Sequence, residues 1–479
     1  MPNPEKILRI DSGNYEFTFI NLTKVFKDKI DWNFNDYGKL WNYNLQYADF
    51  LKAKNIKKEC RRDLVLDLYK KLWSGRVPLE PYPASLRIMN VIRFISEEFT
   101  EREDRNEILI YLCSELNYLS KNLEYHLLAN HLLENAFALL MGGHFFNHTP
   151  WEKVGSTLLR KELKEQILLD GAHFELSPMY HQIILFRVIE AYTYLNENDA
   201  IKPLLRNTAV KMLSWLQCFS FRNGAVPHFN DSTDGICLTV SQLRTSVREA
   251  GIFQEAKVEL SNSGYRKFEF DDFEVVFDVH GISPGYQPGH AHADTFSFCL
   301  NYKNIPFIVD AGTSTYEISA QRDWERSTRA HNTIEIGDKN SSEVWAGFRV
   351  GRRAKVQIIE ESKYRVKASH DGYRFLGARV YRSFKVDQSR LVIEDKIESS
   401  KRMNNPIVGR IHLHPDVSLQ TFERKVILSD SIIIEFEEKV DLSIEDFDVA
   451  LGFNHRVKSK CISYKLQGSY SRLLIYQFA

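Results

Sequence analysis

The chain has 479 residues, and its 63 Lys plus Arg balance 63 Asp plus Glu to a formal net charge of zero. That length allows about one to three domains with sizeable cores, and the neutral balance argues against a non-specific nucleic-acid binder. No run of about 18 apolar residues occurs, so no membrane-spanning helix is predicted.

The start, Met1 to Asp11, has no basic stretch followed by an apolar one. The expectation is a cytoplasmic protein, or a periplasmic or secreted one if a leader has been removed. The six Cys are scattered with no CxxC pair and are expected to be buried free thiols. Aromatic content is high, with 31 Phe, 22 Tyr and 7 Trp. Most of these rings are expected in the core, although aromatic faces also suit sugar rings.

Residues 1–255 are read as helical. Ala84 to Ile95 and Tyr111 to Leu119 carry apolar residues at helical spacing, and breaks fall at Pro78 to Pro83, Gly142-Gly143 and Pro150. No strands alternate with these helices, which leaves a bundle, a solenoid or a closed α/α toroid. The absence of a strict repeat of about 30–45 residues weakens the solenoid. Tyr125 to Ala136 is read as an apolar helix with His126 and Asn130 on one face. Polar groups there need partners when buried, so they form either an internal hydrogen-bonded pair or part of a site. In Ser177-Pro178-Met179-Tyr180, Ser177 suits an N-cap and Pro178 the first helical position. Tyr180 then lies in the first turn, where the positive helix end favours a phenolate. It is read as a catalytic base or as an ordinary amphipathic Tyr.

Residues 256–479 change to a period of two. Phe268 to Phe270, Phe273 to Val279, Ala354 to Ile359, Leu391 to Asp395 and Ile432 to Phe436 are short strand-like runs separated by turns. They predict an antiparallel β-sandwich. Two domains are therefore expected, a helical one over 1–255 and a β domain over 256–479.

The β half carries Gly289-His290-Ala291-His292-Ala293-Asp294, then Ile308-Val309-Asp310-Ala311-Gly312, then Ala330-His331-Asn332-Thr333. On a strand, His290, His292 and Asp294 share a face that continues as Phe296, Phe298 and Leu300. If the three runs are neighbouring strands, His292, Asp310 and His331 converge on one metal ion and His290 stands free beside it. Two His and a carboxylate form a recurring zinc set. The alternative is separate surface histidines and a turn aspartate.

In this order these motifs resemble the heparinase II/III family of polysaccharide lyases. The likeness runs from about Asp31 to Ala354. It takes in Asp31-Trp32-Asn33, Leu40 to Leu45, Glu80 to Arg87, Ala129 to Ala136, Phe174 to His181 and the His/Asp cluster, and ends with Arg326 to Thr333 and Ser342 to Val350. The resemblance implies a helical α/α toroid, an incomplete helical barrel, followed by an antiparallel β-sandwich. It implies β-elimination on an acidic, uronic-acid-containing polysaccharide, with Asn130 neutralising the uronate and Tyr180 and His290 catalytic. It implies that His126 or His131 shares the role of Asn130, that Tyr316 and Arg326 touch substrate, and that His292, Asp310 and His331 hold a structural zinc or other divalent ion. No organic cofactor is expected. Two other functions stay open at this point: a zinc-dependent glycan hydrolase, and a non-catalytic glycan-binding or surface-glycan assembly protein.

Overall fold

The structure, a computed structural model, describes residues 4–11, 13–98, 105–253 and 256–478. The chain forms two compact units. One comprises Met1–Ile167, Gln182–Leu213 and Gly235–Glu255; the other comprises Leu168–His181, Ser214–Asp234 and Ala256–Ala479. The boundary expected at residue 255 falls on residues outside the described ones. The single cut at that point also leaves out two earlier segments, 168–181 and 214–234, which pack into the β-containing unit. Helical periodicity reports which residues are helical, not which core they join, so this could not be read from pattern.

The helices are α1 (Lys39–Gln46), α2 (Lys58–Trp73), α3 (Pro81–Glu98), α4 (Asn106–Lys121), α5 (Ala129–Phe146), α6 (Thr149–Gln166), α7 (Pro178–Tyr194), α8 (Lys202–Phe219), α9 (Val240–Glu249) and α10 (Ala320–Glu325). Helix α5 is buried from Ala129 to Gly143 except at His131, the mark of a helix enclosed on all sides. Helix α9 begins with a capping box, in which Thr239 accepts from the Gln242 N–H and the Gln242 side chain accepts from the Thr239 N–H. Buried charge is paired within this unit: Arg187 on α7 meets Glu134 on α5 at 2.8 Å and also Glu190, which in turn meets Arg93 on α3.

A three-stranded antiparallel sheet precedes the helices: Leu8–Asp11, Asn14–Phe19 and Leu22–Lys27. The sequence reading assigned this stretch to the helical half. Its turn, Ile20-Asn21, has both residues at positive φ, 46° and 62°, as a two-residue hairpin requires. The sheet buries Phe17 against Trp32 and Phe50 and Phe19 against Trp41, so packing of aromatic side chains fixes this short segment as strand.

The β unit is antiparallel throughout its named strand pairs. One four-stranded sheet runs Tyr265–Phe270, Phe273–Asp278, Phe298–Tyr302 and Ile305–Ile308. A second orders Val440–Gly452, His455–Leu466, Ile407–His412 and Ile334–Ile336. The eight-stranded sheet has Val356–Ser362 and Leu419–Thr421 at its edges. Alternation drives this packing: Ile432, Ile434 and Phe436 are buried, whereas Ile433 and Glu435 are less so. All three sheets feed one apolar core, with Phe277 stacked on Phe384 and Phe436 packed on Tyr464. The six Cys are free, as read, but only Cys299 and Cys461 are buried.

The sequence reading of the His cluster as part of a strand needs correction. The strand begins only at Phe298, and Phe296 sits at φ 72°. A turn, with the Ser297 N–H donating to Asp294 O, carries the chain into the sheet. His290, His292 and Asp294 therefore lie on a loop, and their alternation does not place them on one sheet face. Among the described residues, no helix is long and apolar enough to cross a membrane.

Candidate active site

The β unit brings Tyr180, His290 and Tyr316 together. Ser177 caps α7 as its sequence predicts, its Oγ accepting from the Tyr180 N–H at 3.2 Å. This places Tyr180 in the first turn. Its ring lies on that of His290, centroids 4.0 Å apart, and its hydroxyl is 3.2 Å from the Tyr316 hydroxyl. Phe348 packs on the other sides of this group, 5.8 Å from the His290 ring and 5.2 Å from that of Tyr316.

Behind His290 lies Asp231, a residue the sequence reading did not single out. It is fully buried and receives Arg322 through both terminal guanidinium nitrogens, with Thr313 Oγ1 at 3.1 Å. His290 Nδ1 is 2.9 Å from one carboxylate oxygen and His292 Nε2 is 2.9 Å from the other. Backbone bonds fix the register: the Asp231 N–H donates to His290 O, and the His292 N–H donates to Asn230 Oδ1. Burial alone pushes the Asp231 carboxyl up, but the Arg322 charge and the His290 and His292 hydrogen bonds outweigh it and hold it well below the usual range. The ionised carboxylate only accepts, so each imidazole donates to it. That sets both tautomers. His290 Nε2 lies 3.6 Å from Glu175 Oε2, and His292 keeps its Nδ1 lone pair.

The imidazole of His290 is 15 % exposed, whereas the Asp231 and His292 side chains are fully enclosed. The arrangement presents a phenol and a correctly oriented imidazole at the surface, backed by a buried carboxylate. Such a pair can take a proton from one atom and give one to another.

His292, Asp310 and His331 are also close together. His331 Nδ1 is 2.8 Å from Asp310 Oδ2, and the His292 and His331 rings are 5.4 Å apart. His292 Nδ1 is buried with no hydrogen bond. His292 Nδ1 and His331 Nε2 are buried imidazole nitrogens without hydrogen bonds, the type of donor a divalent ion takes, and the Asp231 bond to the far side of His292 is the outer-shell support such ligands usually have. Burial pushes His292 down to about 3, so its imidazole is neutral, the form that ligates.

The helical unit holds the remaining candidates. Asn130 is buried in the first turn of α5. His126 is not on that helix: Leu128, the N-cap, and Ala129, the first residue of α5, take φ 59° and 49°, and His126 lies in the turn before them, exposed, sharing no helical face with Asn130. His131 meets Glu124 at 3.1 Å, and its ring lies 4.3 Å from that of Tyr82. Arg326 departs from its expected role. It is fully buried and donates to the carbonyls of Ala291, Trp345 and Arg349, tying the His loop to the 345–349 segment and leaving no guanidinium for a sugar. Its sequence context, Arg326-Ser327-Thr328-Arg329, does not distinguish a buried arginine from an exposed one. Asp231 and Arg322 escaped notice for a related reason, since they lie 91 residues apart and only the fold pairs them.

The description "Heparinase II/III N-terminus" matches residues 35–254, and "Heparinase II/III-like, C-terminal" matches residues 254–473. The chain belongs to the heparinase II/III family. A heparin-sulfate lyase from Pedobacter heparinus is 28% identical over 340 residues, covering 64% of this chain and 49% of the relative. One from Bacteroides stercoris is 25% identical over 327 residues, covering 60% of this chain and 46% of the relative. The matches thus span about half the length of these relatives. A crystal structure of heparinase III superposes with a TM-score of 0.70 at 17% identity, covering 94% of this chain and 80% of the other. That likeness establishes the shared fold, a helical N-terminal region followed by antiparallel sheets.

Proposed function

We propose that the chain is a polysaccharide lyase that cuts a uronic-acid glycan, heparan-sulfate-like or a bacterial acidic polysaccharide, by β-elimination. The observation that carries this reading is the contact of Tyr180 with a His290 whose tautomer Asp231 fixes. The relatives named heparin-sulfate lyases support it.

The reaction begins with removal of the C5 proton, α to the uronate carboxylate. The C–H electron pair becomes the C4–C5 double bond, and the C4–O bond breaks with its pair going to the leaving sugar oxygen. That oxygen takes a proton. Tyr180 and His290 divide these two proton transfers according to whether the uronate is of the gluco or the ido type. Where proton and leaving group lie on one side, Tyr180 performs both. From the resemblance, Asn130 is assigned the uronate carboxylate, where an amide donor would stabilise the charge that develops on it. Tyr316, hydrogen-bonded to Tyr180, orients the phenol. Elimination calls for no organic cofactor.

His292, Asp310 and His331 would hold a zinc or similar ion whose chemistry is structural cross-linking of the loop that carries His290. All three side chains are almost entirely buried, which suits an ion that fixes the loop better than one that meets a glycan, and so disfavours the hydrolase reading. Incubation with heparan sulfate, hyaluronan, alginate and bacterial capsule polymers tests the proposal. An unsaturated, ultraviolet-absorbing product is expected from at least one, and Tyr180→Phe should abolish it while binding persists. New reducing ends without that absorbance would overturn the lyase reading in favour of hydrolysis.

A further inference from the structure

His144, Glu152 and Asp199 form a second cluster of ligating side chains, entirely within the helical unit and untouched by the chemistry above. His144 is in the last turn of α5, Glu152 in the first turn of α6, and Asp199 in the turn that leads into α8. His144 Nε2 lies 2.7 Å from Asp199 Oδ2 and 3.9 Å from Glu152 Oε1. We propose that these three side chains bind a divalent transition cation of the zinc type, which clips the α5–α6 corner to the turn before α8.

Three observations carry the proposal. The first is the direction of the imidazole. Nε2 is buried and within hydrogen-bonding distance of Asp199, yet it forms no hydrogen bond of acceptable angle. A buried imidazole nitrogen left without a hydrogen bond is a donor that an ion can take. Zinc bonds of about 2.0–2.2 Å in a tetrahedron place neighbouring ligand atoms roughly 3.3–3.6 Å apart. The observed 2.7 and 3.9 Å straddle that spacing.

The second is charge. Among the described residues, neither Glu152 nor Asp199 has a Lys or Arg partner, and their only ion-pair contact is the one imidazole. A divalent cation neutralises both carboxylates at once. One imidazole with two carboxylates favours zinc or a neighbouring transition ion over calcium or magnesium, which prefer all-oxygen sets.

The third is preorganisation. Asp199 Oδ1 accepts the Ile201 N–H at 2.9 Å, which aims Oδ2 at His144. Arg160 of α6 donates to Ala200 O at 2.6 Å and holds that turn in place. The approach of α5 to α6 depends on glycine: a Cβ on Gly143 would come within 2.5 Å of the Glu152 nitrogen, and one on Gly155 within 2.5 Å of the Leu140 nitrogen. These side chains are 18%, 41% and 12% exposed for His144, Glu152 and Asp199, so an ion can enter and keep water in its fourth position.

The test uses the full chain stripped with chelator and dialysed against Zn2+, with zinc counted per chain by elemental analysis and the melting temperature recorded. Asp310→Asn, made in parallel, separates this site from the one proposed in the β unit. In the Asp310→Asn background, one zinc per chain is expected, and it should vanish on adding Asp199→Asn or Glu152→Gln, both close in shape to the native residues. Zinc should raise the melting temperature of Asp310→Asn by several degrees and leave the double variants unmoved, since an ion stabilises only the state that binds it. Co2+ substituted into Asp310→Asn should give visible d–d absorption that Glu152→Gln diminishes. Equal zinc content and equal melting shifts with and without Asp199→Asn would overturn the proposal and reduce the cluster to an ordinary histidine–aspartate ion pair.

Discussion

Both units bury an arginine against carboxylates, and they use it differently. In the helical unit, Arg187 bridges Glu134 and Glu190, and Arg93 completes the group. The charges neutralise one another between α3, α5 and α7, and the network serves the framework. In the β unit, Arg322 neutralises Asp231, which also holds two histidines, and one of these reaches the surface beside Tyr180. The same desolvated pair acts in the first case as a strut and in the second as a mount for a partly exposed imidazole. A buried ion pair therefore bears on the surface only when one partner has a further bond to something exposed.

Substitutions in the two networks should differ sharply in outcome. Tyr180→Phe keeps the ring on His290 and removes only the hydroxyl proposed to transfer protons. Turnover is expected to fall by about 10²–10⁴-fold with substrate affinity retained, measured as unsaturated product and by calorimetric binding. A turnover unchanged in that variant would remove Tyr180 from the mechanism.

Next in size is Asp231→Asn. It leaves Arg322 buried without a counter-charge, a loss of about 3–5 kcal/mol by chemical denaturation. The amide can also donate, which frees the His290 and His292 tautomers, so kcat should fall in protein that remains folded. A stable variant with full kcat would show Asp231 to be a strut like Glu134.

Acid titration probes the helical unit. Burial alone would raise the Glu190 carboxyl, but Arg187 and Arg93 lower it to about 2. A depressed folded pKa contributes stability above the unfolded value of about 4.5, lost as pH falls toward about 2. Glu190→Gln should flatten the dependence of melting temperature on pH between about 5 and 2. An undiminished slope would assign acid lability to other groups.

The smallest effect is expected at Arg326→Lys. Lysine cannot span the Ala291, Trp345 and Arg349 carbonyls. The melting temperature should drop by a few degrees while KM stays constant. A raised KM with unchanged melting would restore Arg326 as a substrate contact.

Much of the fold was legible in the sequence because periodicity is a local consequence of burial. The helical run of α3, the capped start of α7 at Ser177-Pro178 and the alternation of Ile432 to Phe436 each record which side faces a core. The motifs singled out Tyr180 and His290, whose rings the structure places 4.0 Å apart. Local pattern failed where backbone geometry departs from a regular element. The alternation from His290 to Leu300 reads as strand, but the left-handed Phe296 breaks it into a loop. His126 reads as helix, but two successive positive-φ residues delay α5. The Leu8–Lys27 sheet is too short to stand out against the long helical stretch from α1 to α9.

The sequence by itself determined the helical and β halves and the family, because each is written in residues near one another in the chain. Only the tertiary structure decided that Asp231 and Arg322 stand behind His290, that Arg326 is buried, and that segments 168–181 and 214–234 join the β unit. These depend on contacts between distant residues, and a buried charge is tolerable only once folding has supplied its partner.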